Sequence, residues 1–264
     1  MRILLDGANN TRDLGGIPIG DRFIKSHRLI RSGALSALSP QDIRILQEYP
    51  LRKVIDLRAP AEIARRKDIV IDGVEYISLP LLGERTLGVT REQSLAEQLL
   101  EMASDVTFDA ERYMQNIYRN LITSDSVAGQ FRRFFEILLT PCDGAILWHC
   151  SAGKDRVGVC TALLLMALGA DRQTVLEDYL LTNQFVTEEI RQSAKGVCDT
   201  LGDAADPAVI KEMVTVLYSV RRSYLDSVFQ ALEFAYGTVE NYLSRKILLT
   251  EAEIHQLKGI YLEP

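Results

Sequence analysis

The sequence is poor in residues that hold metals. Three histidines and four cysteines in 264 residues, with Cys142, Cys150, Cys160 and Cys198 spread without close pairing, offer no zinc-type spacing. No metal and no other cofactor is expected. Basic excess is lacking too: 30 Lys and Arg against 36 Asp and Glu leave a formal net charge of −6, which argues against a nucleic-acid partner. An anionic ligand would have to find a local basic cleft. The short runs Arg65-Arg66-Lys67, Arg132-Arg133 and Arg221-Arg222 read as solvated helix faces. The longest apolar run, "ALLLMALGA", has about half the length that crosses a bilayer, so it reads as a buried helix and no transmembrane segment is expected. The apolar stretch in the opening "MRILLDGANNTRDLGG" is too short for the core of a signal peptide. A cytoplasmic protein with reduced thiols is expected. Repeats, low-complexity tracts and linkers are missing as well, so residues 1–264 read as a single domain, its oligomeric state open.

What is present is an alternation of short strands and helices. "IPIGDRFIK" alternates around a Gly-Asp pair and reads as a β-hairpin. "SPQDIRILQEY" opens with Ser39 as N-cap and Pro40 at the first helical position, the start of a short helix. "KVIDL", "VEYISLPL" and "GAILWH" are compact strand-like runs. From Arg156 the apolar spacing turns helical as far as Leu168, where Gly169 supplies a C-cap. Asp171 begins a further helix, helical segments follow to the end, and Thr250 with Glu253 makes a capping box. This order implies an α/β fold, a mainly parallel central sheet flanked by helices, with a helical C-terminal part. Residues 83–126 form a polar, helix-prone insertion that could be a lid over the site or a packing helix pair.

The stretch "HCSAGKDRVG" joins the last of those strands to the helix at Arg156. A loop leaving a strand and entering a helix turns successive backbone N–H groups toward one point and adds the helix's positive end, a site for a phosphate dianion. Gly153 permits the tight curve, and Ser151 and Ala152 are small enough for close backbone approach. The loop's field favours thiolate over thiol, making Cys150 a nucleophile at neutral pH. Arg156 can give two parallel hydrogen bonds to phosphoryl oxygens. The chemistry implied is phosphoryl transfer to sulfur, then hydrolysis of the phosphocysteine. A Walker A loop is excluded, because Trp148 occupies its first glycine position and Asp155 its hydroxyl position.

The same stretch resembles the His-Cys-x5-Arg signature of the cysteine-dependent protein tyrosine phosphatase superfamily. Asn10-Thr11-Arg12-Asp13-Leu14-Gly15-Gly16, "RLIRSGALS", "VIDLR", "LPL" and "EDYLLTN" are similar to its microbial tyrosine and dual-specificity branch. The resemblance implies a tyrosine phosphatase-like fold with Cys150 as nucleophile, Arg156 as phosphate binder and the Ser151–Arg156 backbone as cradle. It further implies that His149 supports the loop and that phosphotyrosine proteins are substrates, with phosphoserine/threonine or phosphoinositides in addition. Lys154 is expected at the rim as an added positive charge.

An ester leaving group needs a proton, and a carboxylic acid is the usual donor. With no Trp-Pro-Asp loop, Asp155 is the candidate by resemblance, with Asp105 and Asp109 in reserve. Asp13 and Asp56 read as structural, while Arg12 or Arg58 could face the cleft. One position departs from the pattern: Val157, counted with Ser151, Ala152, Gly153 and Lys154 among the substrate-binding residues, stands where such loops carry Ser or Thr, whose hydroxyl eases departure of the cysteine sulfur. That departure leaves a second reading open, a catalytically weak phosphoprotein- or phosphoinositide-binding module. A third, sulfur transfer or arsenate reduction, wants a resolving cysteine nearby, and Cys160 is expected to point into the core.

Overall fold

Period-two alternation in the central strands buries one set of side chains on each face of a sheet. In the computed structural model, which describes residues 1–81, 99, 108–140, 142–202 and 206–264, the chain begins with β1 (Arg12–Asp13), β2 (Pro18–Ile19), β3 (Arg22–Ile24) and β4 (Leu29–Ser32). The helix α1 (Pro40–Glu48), strand β5 (Leu51–Asp56), helix α2 (Pro60–Arg65) and strand β6 (Glu75–Ser78) follow. Next come α3 (Ala110–Thr123), α4 (Asp125–Leu139), β7 (Ala145–His149) and α5 (Asp155–Leu168). The rest is α6 (Arg172–Leu181), α7 (Asn183–Leu201), α8 (Pro207–Tyr218), α9 (Arg222–Tyr236), α10 (Val239–Arg245), α11 (Glu251–Tyr261) and β8 (Leu262–Glu263).

The main sheet runs β1-β4-β7-β5-β6, parallel except for the antiparallel β1. Leu29, Ile55, Ile146 and Trp148 face the larger core, against the helices that follow β7. Their neighbours Ile30, Val54, Ala145 and Leu147 face a smaller core that Leu46 of α1 helps to close. Because β7 is covered on both faces, its carboxyl end opens at the sheet's edge among loops, the usual place for a ligand in such sheets.

Local signals place the helix ends as expected. Ser39 and Asp42 form a capping box, as do Thr250 and Glu253, and the Asp171 carboxylate accepts from the Thr174 N–H. Gly169 closes α5 in the left-handed region at φ 105°. That helix is apolar on nearly every side, and all its residues but Met166 are buried, the pattern of a helix inside a core and not of a membrane span. Among the described residues no helix is long and apolar enough to cross a membrane. The expected hairpin forms with Gly20-Asp21 at its turn, and β8, a short strand where only helix is expected, adds to β3.

Of the 83–126 insertion, the described part includes α3, which buries Met114, Ile117, Tyr118, Leu121 and Ile122 and packs on α9. Residues 82–98 and 100–107, with the reserve acid Asp105, lie outside the described residues. Asp109 is the N-cap of α3, accepting from the Arg112 N–H at 3.0 Å.

Candidate active site

The loop from Cys150 to Lys154 is held by its carbonyls. His149 Nδ1 lies 3.3 Å from the Cys150 carbonyl, and the Ala34 N–H donates to that of Ser151 at 3.3 Å. Asn10 Nδ2 donates to the carbonyls of Ala152 and Gly153 at 3.3 and 2.7 Å, and an Arg31 Nη donates to Gly153 at 3.0 Å. A trans peptide points its N–H opposite its C=O, and the chain has no cis bond. Each of these four carbonyls meets a partner, so the N–H that follows it, from Ser151 to Lys154, points away from that partner. Gly153 has two reasons to be glycine: its φ is +66°, and a Cβ would fall 2.6 Å from the Ser32 carbonyl.

The donors behind the loop form their own cluster. Arg31 meets Asp178 at 2.5 Å, Arg12 reaches the Asp178 carboxylate at 3.4 Å and its carbonyl at 3.0 Å, and Arg12 also donates to the Asn10 side chain. Burial alone would raise the Asp178 carboxyl, but Arg31 and Arg12 outweigh it and hold it below the ordinary carboxylate range. Burial and the neighbouring Arg31 bring the Arg12 guanidinium down to about 10. Two cations and one anion are thus buried behind the cradle, a net positive charge facing the position of a bound anion.

Arg156 is completely buried and gripped end-on by Glu62 of α2: its two terminal nitrogens donate to the two carboxylate oxygens at 2.6 and 2.9 Å. Glu62 also accepts from Ser151 Oγ at 2.5 Å and from the Ala59 N–H at 3.0 Å. Burial pulls the guanidinium down and the carboxyl up, yet their hydrogen bonds prevail, so the arginine is held above and the glutamate below its ordinary range. The Glu62 pair fixes the plane of the guanidinium, and one of its Nη groups also donates to the Leu57 carbonyl at 3.4 Å. Cys150 is buried at the loop's foot, and its charge as thiolate further favours the arginine's charged form.

A sequence profile described as the tyrosine phosphatase family matches residues 3–263. The chain belongs to that family. It is 31% identical to a Cupriavidus necator protein provisionally named a tyrosine-protein phosphatase, over 98% of this chain and 88% of that one. It is 28% identical to the triple specificity protein phosphatase PtpB of Mycobacterium tuberculosis, over 98% of both. The solved structure of P. aeruginosa TpbA aligns at 17% identity over 74% of this chain and 90% of its own, with a TM-score of 0.31.

The remaining residues of this phosphatase divide between those the sequence placed well and those it did not. Lys154 is not at the rim. Its side chain is buried, and its ammonium lies 2.8 and 2.7 Å from the two Asp155 oxygens, because a buried ammonium must take the nearest carboxylate. Asp155 also accepts from the Tyr118 hydroxyl at 2.7 Å. Val157, counted above among the binding residues, buries its side chain in the larger core. Thr161 donates to the Val157 carbonyl at 2.7 Å and accepts from the Trp148 indole at 3.1 Å. Ser151 and Ala152 are half-buried, the most accessible residues of the loop.

Arg12 lines a cavity with Asp13, Glu177 and Asp178, to which no residue of the Cys150 loop contributes. Arg58 is buried on Asp56 at 2.7 Å and on Asp68 at 2.9 Å. Asp68 also lies 3.0 Å from His149 Nε2, so it steadies the histidine beside the nucleophile. Burial would raise the Asp68 carboxyl, but His149 and Arg58 keep it low. The ligand-type atoms of Asp56, Asp68 and His149 come within 4.8 Å of one another, and the Arg58 guanidinium pairs with both carboxylates. Cys160 is fully buried, and burial together with the Cys150 charge pushes its thiol well up, leaving it a poor resolving thiol. Glu62, Tyr118, Tyr179, Asp68 and Asp178 are the partners that sequence reasoning missed. The quoted "EDYLLTN" does contain Asp178 and Tyr179, but nothing in it says what they touch.

Proposed function

We propose that this phosphatase hydrolyses phosphomonoesters through a phosphocysteine, acting on phosphotyrosine proteins and also on phosphoserine/threonine proteins or phosphoinositides. One observation supports the reading: four consecutive loop carbonyls from Cys150 to Gly153 each meet a partner, so the N–H groups that follow them point away from those partners, as an anion-binding loop requires. Cys150 Sγ attacks phosphorus in line with the ester oxygen, while those N–H groups and Arg156 hold the non-bridging oxygens as charge spreads over them. Asp155, at the first residue of α5, protonates the leaving oxygen. Water then cleaves the phosphocysteine, with the same carboxylate now acting as base. The similarity to PtpB, a protein named for triple specificity, supports the wider substrate range.

The test is phosphate release from a phosphotyrosine peptide, a phosphothreonine peptide, phosphoinositides and a nitrophenyl phosphate, by wild type and Asp155→Asn, with Cys150→Ser as background. Asp155→Asn is expected to lose roughly 10²-fold on the peptides and much less on the nitrophenyl ester, whose leaving group needs no proton. Equal loss on both would remove Asp155 from the role of acid, and the rank of the panel decides the substrate class. Val157→Thr is a second expectation. A hydroxyl near the sulfur would stabilise the departing thiolate by about 1 kcal/mol, raising steady-state turnover roughly fivefold if phosphocysteine hydrolysis is limiting. Pre-steady-state traces without a burst, together with an unchanged rate in Val157→Thr, would rule out that limiting step.

A further inference from the structure

Lys154 is not the sole partner of Asp155. From α6 the Tyr179 hydroxyl donates to the Tyr118 oxygen at 2.7 Å, and from α3 the Tyr118 hydroxyl donates to Asp155 Oδ1 at 2.7 Å. Both phenols are fully buried, their rings 6.1 Å apart and edge to face, with Tyr224 tilted against Tyr118 at 5.6 Å. One turn beyond Asp155 stands Gly158, where a Cβ would come 3.0 Å from two ring carbons of Tyr179. The helix leaves out a side chain where that ring is seated. Packing alone would be served by phenylalanine at either position, without the cost of desolvating two hydroxyls. The chain of hydroxyls ends on the carboxylate assigned to proton transfer.

We propose that Tyr118, backed by Tyr179, is a positioning residue for proton donation: it orients the Asp155 carboxyl and stabilises the carboxylate that forms as the leaving group departs. This rests on the reading of Asp155 as the proton donor. In the step, a Sγ electron pair forms the P–S bond and the P–O ester bond breaks with its pair going to oxygen. That oxygen takes the Asp155 proton. Lys154 pairs with the Asp155 carboxylate, so the form that donates is the one in which Asp155 has taken up a proton. In that form the Tyr118 hydrogen bond joins two neutral groups; after transfer its acceptor is charged, and such bonds are about twice as strong. For that form the gain accrues as the transition state forms and not on binding, and the Tyr179 bond polarises the Tyr118 hydroxyl in the same sense. Burial and the nearby Asp155 charge hold both phenols well above their ordinary range, so they remain donors at any working pH.

The experiment measures kcat and KM for aryl phosphates running from dinitrophenyl to phenyl, in the acid limb of the pH profile where Asp155 carries its proton, with wild type, Tyr118→Phe, Tyr179→Phe, Asp155→Asn and the double variant Tyr118→Phe/Asp155→Asn. Tyr118→Phe is expected to lower kcat roughly tenfold on phenyl phosphate, by a smaller factor on the dinitrophenyl ester, and to leave KM in place. Tyr179→Phe should act in the same direction and less, and the double variant should match Asp155→Asn alone. A loss from Tyr118→Phe that is equal across leaving groups, or that adds in full to Asp155→Asn, would make the tyrosine a scaffold and overturn the proposal. Steep leaving-group dependence in Asp155→Asn with none in Tyr118→Phe overturns the proposal and leaves the acid in place. Wild-type dependence in Asp155→Asn overturns both. Turnover of the dinitrophenyl ester reports that each variant is folded; should Tyr118→Phe fail to fold, Tyr179→Phe carries the same comparison.

Discussion

Phosphate release by Cys150→Ser is expected to fall by roughly 10³-fold or more, while phosphopeptide affinity stays within about threefold of wild type. The two effects separate because the cradle does not depend on sulfur. The loop's shape is set by carbonyls held by Asn10, Arg31, Ala34 and His149, and Arg156 is set by Glu62, so an oxygen at position 150 leaves the anion site standing. What is lost is the nucleophile: a serine hydroxyl is not ionised at neutral pH, and no neighbouring histidine is placed to take its proton, since His149 is turned to Asp68 and the Cys150 carbonyl. Single-turnover kinetics and calorimetric titration with a phosphotyrosine peptide check both halves. Turnover within tenfold of wild type would place the nucleophile elsewhere. Tight binding by both proteins with release by neither would mark the loop as a binding module.

The features legible in the sequence are those fixed within a few residues. Cys150, Gly153, Asp155 and Arg156 lie in one unbroken run, where a strand's period of two gives way to a helix's 3.6, and that switch alone implies a strand, turn and helix with a thiol at the bend. Ser39, Gly169, Asp171 and Thr250 were likewise readable, because a cap is satisfied within about four residues. The unread part is long-range. Glu62 stands 94 residues from the arginine it grips, and Arg12 stands 166 from Asp178; nothing local in either residue's neighbourhood names its partner. Lys154 misled for a related reason. Lysines usually carry their charge to solvent, and only the burial of Asp155 beneath α3 and α6 draws this one inward. Tyr118 lies in the polar insertion and Tyr179 in the "EDYLLTN" run, and their hydroxyls acquire a meaning only when the two helices meet at Asp155.

Asp178→Ala is expected to destabilise the fold by about 3 to 5 kcal/mol, the usual cost of leaving a buried charge without its partner. Here two are left. Arg12 and Arg31 are both buried and repel each other, and burial first and then the Arg31 charge bring Arg12 down to about 10. Asp178→Asn retains hydrogen-bond acceptors but no charge, so it should fall between. The same carboxylate sets the acid limit. Its folded pKa lies below the unfolded value of about 4, as do those of Glu62 and Asp68, so the folded state binds fewer of these protons. The stabilisation is then fully present above about pH 5 and is lost as pH falls through the folded values. Denaturant unfolding of wild type from pH 7 to pH 3 should show a plateau and then a steep decline, shallower in Asp178→Asn. A loss of less than about 1 kcal/mol in Asp178→Ala at pH 7, below the cost of most buried polar losses, would show that solvent reaches the two arginines. Inorganic phosphate should recover part of the deficit, because it binds only the folded loop and places an anion on the side those arginines face. Recovery in Asp178→Ala exceeding that in wild type would then locate the excess positive charge at the cradle itself.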